Sequence, residues 1–299
     1  MCGIVGISLR KEVYNRTHQM HRIKDLFTNM LVEAQLRGSA ATGVCITTWA
    51  SEKEKPQVWI LRSPLPASEF VKTDDYKKVM SKVDNKCLSI IGHTRAVSST
   101  KAAAEDNRNN HPFAQGTVIG VHNGRVLNDA ELWKKYEDDI TRKGNCDSEI
   151  IIALVNHFAD TVDNITTEEA IDMALQEVDA WYALAIINAR DPHKVYLVKD
   201  GHNPLSLGWW SAPETVVFAS EWGYVEKGFE KLSPGTKVSL PIVECEFPDK
   251  QIITLDSVSR GKAWQDYYIG KYTLKNAKNN QQELIASHED EFKTTQGMG

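Results

Sequence analysis

Cys2, directly after the initiator methionine, is the first residue of this chain with distinctive chemistry. A small second side chain generally permits removal of Met1, which would leave a thiol beside a free α-amino group. Nucleophile and general base would then sit within one residue. An α-amino group has a reference pKa of about 7.7–8.0, so a usable fraction is unprotonated at neutral pH, unlike a lysine amine. Three more polar clusters interrupt apolar runs: Gly92-His93-Thr94-Arg95, His122-Asn123-Gly124 and Asp147-Ser148-Glu149. Each has an ordinary reading when taken singly. Cys2 can be a chance cysteine, Asn123-Gly124 a hairpin turn, Asp147 a helix N-cap and Arg95 a surface charge.

The elements that must position these groups are legible from periodicity. Gly3–Leu9 is short, apolar and β-branched, a buried strand that would hold the terminus rigidly. Ile23, Leu26, Phe27, Met30, Leu31 and Ala34 fall at helical spacing, with Thr17 as a candidate cap and Gly38 closing the end. His18 and His21 are three residues apart, but no third ligand is near, so they read as surface histidines. Val44–Trp49, Val58–Leu61 and Cys87–Ile91 read as strands, and Asp74–Val83 as a surface helix. Lys101–Asn110 is polar and reads as a mobile loop. Thr117–Val121 is a strand running into Asn123-Gly124, a strong turn signal. Asn128 with Glu131 resembles a capping box, as does Thr166 with Glu169, and Asp147 opens a helix over Ile150–Val155.

The remainder returns to β: Trp181–Asn188, Lys194–Val198, Leu205–Trp210, Thr215–Ser220 and Thr236–Leu240. Strands at both ends with helices between them are not the regular alternation of a doubly wound sheet. The order predicts antiparallel sheets with helices outside, an α+β protein. Ile252 and Ile253 suggest one more strand, and Asn276–Gly299 is polar enough for a flexible tail.

With 299 residues, 41% hydrophobic and 25% charged, the chain has the composition of an ordinary globular protein. A net charge of -5 gives no overall attraction to nucleic acid or to an anionic membrane, so a small molecule or a protein is the expected partner. Five cysteines without C-x-x-C spacing suggest neither a zinc site nor a disulfide framework, and no cofactor or metal is expected. The absence of a signal segment or a membrane-length apolar run points to the cytoplasm, where the sequons at Asn15 and Asn164 would be accidental.

Together, and in this order, the four clusters closely resemble the glutaminase domain of class II glutamine amidotransferases, members of the N-terminal-nucleophile hydrolases. The resemblance extends to the glutaminase half of glutamine–fructose-6-phosphate aminotransferase. Supporting matches are Cys2–Gly6, Arg37-Gly38, His111-Pro112, Lys199–Gly201, Asn203–Leu205 and Phe218–Glu221, and the resemblance spans about residues 2–240. It implies a four-layer αββα sandwich with two stacked antiparallel sheets, and a glutamine amidotransferase type 2 domain over 2–240. Residues 241–299 would then be an extension, partly β and then polar.

The resemblance also implies roles. Cys2 would attack the side-chain carbonyl of glutamine and form a glutamyl thioester. Asn123 and the Gly124 N–H would hold the oxyanion. Arg95 would bind the α-carboxylate and Asp147 the α-amino group, with His122 and Ser98 lining the substrate pocket. One departure concerns Ala96-Val97-Ser98-Ser99-Thr100, where relatives carry an aromatic residue followed by Thr-His or a Ser-Thr pair. Ser98 still offers a hydroxyl, whereas Ala96 removes a ring. Fewer than about 60 residues follow Leu240, below a typical domain of about 100, so the ammonia acceptor is expected on a separate synthase subunit. Two alternatives stay open: an N-terminal-nucleophile amidase or transferase for another γ-glutamyl or small amide, and a non-catalytic binding or regulatory protein on a glutaminase scaffold.

Overall fold

Most of the described strands are buried on both faces, and the reason is visible in a computed structural model, which describes residues 1–11, 19–49, 53–96, 102–232, 235, 240–258 and 268–274. Thr17, His18, Ser98, the expected strand over residues 236–239 and the polar tail lie outside the described residues.

Two sheets are stacked. The first contains β1 (Gly3–Leu9), β2 (Ala41–Thr48), β3 (Gln57–Ser63), β4 (Cys87–Arg95), β9 (Ser206–Trp210), β10 (Thr215–Ala219) and β11 (Ile242–Cys245), in the order β11-β9-β10-β1-β4-β2-β3. The second contains β5 (Phe113–Gln115), β6 (Val118–Val126), β7 (Ala180–Asn188), β8 (Lys194–Lys199), β12 (Gln251–Asp256) and β13 (Tyr268–Thr273), in the order β13-β12-β8-β7-β6-β5. Every pairing is antiparallel.

Three apolar layers hold the stack together. The middle layer, between the sheets, includes Ile4, Ile91, Val121, Ala185, Leu197 and Phe218. Outside the first sheet, α1 (Met20–Ala34) and α8 (Trp222–Glu230) pack Ile23, Phe27, Met30 and Phe229 on Val5, Ile7 and Ile90. Outside the second, α6 (Glu149–Thr161) and α7 (Thr167–Glu177) cover Val118, Leu184 and Val198 with Ile150, Ile151, Leu154 and Ala170. Helix, sheet, sheet and helix therefore form the expected αββα sandwich. Both faces of β1 and β4 meet apolar neighbours, which is why these strands read as unbroken apolar runs instead of alternating ones.

Local chemistry explains several boundaries. Thr166 and Glu169 make the reciprocal capping box that opens α7. Thr73 caps α3 (Asp74–Met80) by accepting from Tyr76 N. At α5 (Asp129–Lys135), however, Asn128 makes no cap. Its amide donates to Glu177 O at 3.0 Å and its Oδ1 accepts from Asp179 N at 2.9 Å, tying the end of α7 to the start of α5. The run expected as a loop before His111 contains α4 (Ala102–Glu105) and a 3-10 turn (Asn107–Asn109). Buried Asn110 organises it by donating to Ala104 O at 2.7 Å. Asn123-Gly124 is not a turn: β6 continues to Val126, with Asn123 opposite Ala183 and Gly124 opposite Tyr182.

Beyond Leu240 the chain keeps contributing to both sheets. β11 edges the first beside β9, and β12 and β13 extend the second from β8.

Candidate active site

β1 is a central strand, hydrogen-bonded to β10 on one side and β4 on the other, so the residue that precedes it is held from both sides. Gly3 pairs with Thr94, and a side chain at Gly3 would come within 2.7 Å of Thr94 Oγ1, itself bonded to Ala34 O at 2.8 Å. Only glycine lets the terminus pass here. Cys2 follows this path to the end of β4, where Ala96 N–H points at its Sγ over 3.4 Å. Arg37 Nε donates to Cys2 O at 2.7 Å while its guanidinium pairs with Glu221. Gly38 lies flat against the Arg95–Ala96 peptide, 2.3 Å from Ala96 N for any added Cβ. With Met1 in place, burial pushes the Cys2 thiol pKa up, and the Ala96 N–H, the terminal amine, Arg95 and Arg37 act against that rise.

Asn123 and Gly124 approach from the other sheet. Asn123 is buried, and its Nδ2 donates to Ser220 Oγ at 2.8 Å. The same hydroxyl accepts from Ile4 N at 2.8 Å, and Ser220 N returns a bond to Ile4 O at 2.8 Å. Gly124 has φ +145, and a Cβ there would stand 1.8 Å from Trp181 O. His122 donates Nε2–H to Trp181 O at 3.0 Å, so its Nδ1 accepts the Ser148 hydroxyl at 2.8 Å. Burial lowers its pKa and keeps it neutral.

Two more imidazoles lie beneath. His93 Nε2 donates to His122 O at 3.2 Å, and the His111 ring stacks on His93 with centroids 3.9 Å apart. Burial lowers His93 to about 3 and drives His111 down as well, so both are neutral. A charged imidazole next to Arg95 would be costly.

Arg95 ends β4 with Nη1 on Asn110 Oδ1 at 2.8 Å and Ala103 O at 3.2 Å. Asp147 Oδ2 accepts from Val126 N at 2.8 Å, fixing the carboxylate at the end of β6. Asp147 therefore serves strand and cleft instead of capping α6, whose first residue Glu149 is buried and takes bonds from Gln115, Lys143 and Gly144.

Cys2, Arg95, His122, Gly124 and Asp147 all line one cleft of about 570 Å³, with Asn123 buried behind its wall. Ser98 lies outside the described residues. Cys146 also lines the cleft, its thiol pushed up to about 11 by burial and the Asp147 charge. Cys45 is sealed in the core with a pKa of about 12. Among the described residues no group of three His, Cys, Asp or Glu side chains could hold a metal ion. Arg37, His111 and Ser220 belong to matched segments, but sequence reasoning assigned them no role; their place emerges only from which strands become neighbours.

A family profile described as "Glutamine amidotransferase domain" matches residues 96–227. Glutamine–fructose-6-phosphate aminotransferase (isomerizing) of Streptococcus agalactiae is 36% identical over 118 residues, 40% of this chain and 19% of that protein. The Lactococcus lactis enzyme of the same name is 29% identical over 212 residues, 70% of this chain and 30% of that one. Over these spans the chain is similar to glutamine amidotransferases. Among solved structures, glutamine phosphoribosylpyrophosphate amidotransferase from B. subtilis superposes on this chain with a TM-score of 0.62 at 18% identity, covering 92% of this chain and 49% of the other. A structure titled as the allosteric regulatory enzyme of purine biosynthesis gives 0.63 at 19% identity. These two likenesses show a shared fold. The curated relatives are much longer, the amidotransferase match accounting for 19% and 30% of their lengths.

Proposed function

We propose that this domain hydrolyses glutamine through a thioester on Cys2 and delivers ammonia to an acceptor on a separate partner. The convergence of Cys2, Arg95, Gly124 and Asp147 on one cleft carries this reading. Once Met1 is removed, the α-amine of Cys2 takes the thiol proton and returns it to the departing ammonia. Water then releases glutamate. Arg95 meets the α-carboxylate through its free guanidinium edge, and Asp147 meets the α-ammonium with the oxygen not committed to Val126 N. Asn123, through the amide hydrogen not given to Ser220, and the Gly124 N–H hold the oxyanion. Neutral His122 keeps the Gly124 peptide in place, and Ser98 is a further candidate for contact with glutamine. In this reading residues 2–240 are the amidotransferase type 2 unit, and 241–299 an extension that adds edge strands.

The test is mass spectrometry of the purified chain after treatment with 6-diazo-5-oxo-norleucine, together with ammonia release from glutamine. One adduct on Cys2 in protein lacking Met1, and no ammonia from Cys2→Ala, are the expected results. Full ammonia release by Cys2→Ala would overturn the reading.

A further inference from the structure

The cleft is larger than glutamine needs. At about 570 Å³ it falls in the range of sites for ligands of about 300–1,000 Å³, well beyond one amino acid. The surplus has an identifiable place. Along β6, Ile119, Val121, Asn123 and Arg125 alternate onto one face; the first two are buried between the sheets and Asn123 is buried at Ser220. Arg125 is the next residue of that row, about 7 Å past Asn123, where the strand leaves the sandwich and the side chain becomes exposed. The row passes from apolar to amide to cation as it enters the cleft.

Trp181 stands directly opposite Arg125 on β7, so the two side chains share that face at about 4.5–5.5 Å between Cβ atoms. The His202 ring lies 6.5 Å from the Trp181 ring, tilted by 34°. Its loop is built rather than loose: buried Asp200 accepts from Tyr182 N at 2.8 Å, His202 N at 2.8 Å and Asn203 N at 3.1 Å. Gly201, at φ +95, passes so close to Asp249 that a Cβ would lie 2.7 Å from its carboxylate. Arg125, Trp181, His202 and Asn203 all line the same cleft as Cys2.

Charge gives the ligand its character. Among the described residues no carboxylate forms an ion pair with Arg125. Among the described residues lining the cleft, Asp147 is the only acidic one, set against the two arginines Arg95 and Arg125. If Arg95 and Asp147 answer the two charges of glutamine, Arg125 is an uncompensated cation beside an indole face. We infer that Arg125, Trp181, His202 and Asn203 form a second subsite for a small molecule that carries a flat ring and an anionic group, bound next to the glutamine site. The guanidinium pairs with the carboxylate or phosphate, the ring lies on Trp181, and the His202 and Asn203 side chains supply hydrogen bonds at the rim. The assignment rests on the proposed glutamine reading only for what fills the other half of the cleft.

Calorimetric titration of the full chain tests it with two probes, 4-aminobenzoate and adenosine 5′-monophosphate, which share a flat ring and differ in the anion. Uncharged aniline and adenosine serve as their controls. The expected result is saturable binding of at least one anionic probe, at least ten-fold tighter than its uncharged control. That binding weakens at least ten-fold in Arg125→Glu, an exposed position that does not threaten folding, and in Trp181→Ala. Which anion binds distinguishes a carboxylate ligand from a phosphate one. The absence of binding by both probes, or affinity unchanged in Arg125→Glu, overturns the subsite. Glutamine hydrolysis by the wild-type chain is measured alongside. Probe binding without hydrolysis would refute the proposed function and leave the subsite standing, and hydrolysis without probe binding would do the reverse.

Discussion

Asn123 donates its side-chain amide to the Ser220 hydroxyl at 2.8 Å, joining the second sheet to the first at the point where Ser220 also holds Ile4 N. One buried hydroxyl thus sets the distance between the strand that presents Cys2 and the side chain proposed to hold the oxyanion. Ser220→Ala leaves the Ile4 N–H and the Asn123 amide without this acceptor in a buried place, at a cost of about 1–3 kcal/mol. Urea denaturation should show that loss. Glutaminase assays should show a fall in kcat with KM little changed, because the damage falls on transition-state contacts. An equal loss in affinity for glutamine would contradict this role.

Gly124→Ala places a methyl group into the Trp181 carbonyl at a φ that L-residues rarely adopt. Strain of this kind costs about 1–3 kcal/mol, and the overlap adds to it. Thermal unfolding at a markedly lower temperature and loss of ammonia release are expected. A variant with wild-type stability would show that β6 is free to move away from β7.

Asp147→Asn keeps the size of the side chain and still offers an oxygen to Val126 N, but removes the charge proposed to meet the substrate ammonium. A hydrogen bond to a charged group contributes about 1.5–3 kcal/mol, which corresponds to roughly a ten- to hundred-fold rise in KM for glutamine. Steady-state kinetics with unchanged folding by circular dichroism would check it, and an unaltered KM would remove Asp147 from the substrate site.

His93, His111 and His122 are neutral and buried, each with a pKa below its unfolded value near 6.5. For His93, between about 3 and 6.5 the unfolded chain binds the proton and the folded chain does not, so stability rises with pH through that window. The contribution is fully present above the unfolded value and is lost as pH falls from 6.5 toward 3. Each such imidazole lowers stability by up to about 1.4 kcal/mol per pH unit below 6.5. Urea midpoints measured at pH 7, 6 and 5 should fall steadily. A midpoint independent of pH over that span would mean the three rings gain protons in the folded state.

Much of the architecture is legible in the sequence because burial on both faces writes each strand as an apolar run, as in Gly3–Leu9 and Cys87–Ile91. The capping chemistry of Thr166 was legible because both partners are local. Asn128 misleads for the opposite reason: its amide bonds Glu177 and Asp179, about fifty positions away, and a distant partner outcompetes the local cap. Asn123-Gly124 misleads as a turn because pairing with β7 carries the strand through it, and the open conformation of Gly124 is used for close approach to Trp181 instead of for reversal. Cys2, Arg95 and Asp147 were identifiable as candidates from type and resemblance. Ser220 and Arg37 act through tertiary contacts with Asn123 and Cys2, which no spacing encodes.

The central position of β1 has a consequence for synthesis. Cys2 leaves the ribosome long before β10, residues Thr215–Ala219, which borders its strand, and before Ser220, whose hydroxyl secures that strand. A nascent chain carries this thiol without its flanking strand until β10 and Ser220 have been made. The surroundings of Cys2 are therefore completed only after residue 220 has been made, and a chain truncated before residue 220 is expected to lack glutaminase activity however well its early strands collapse.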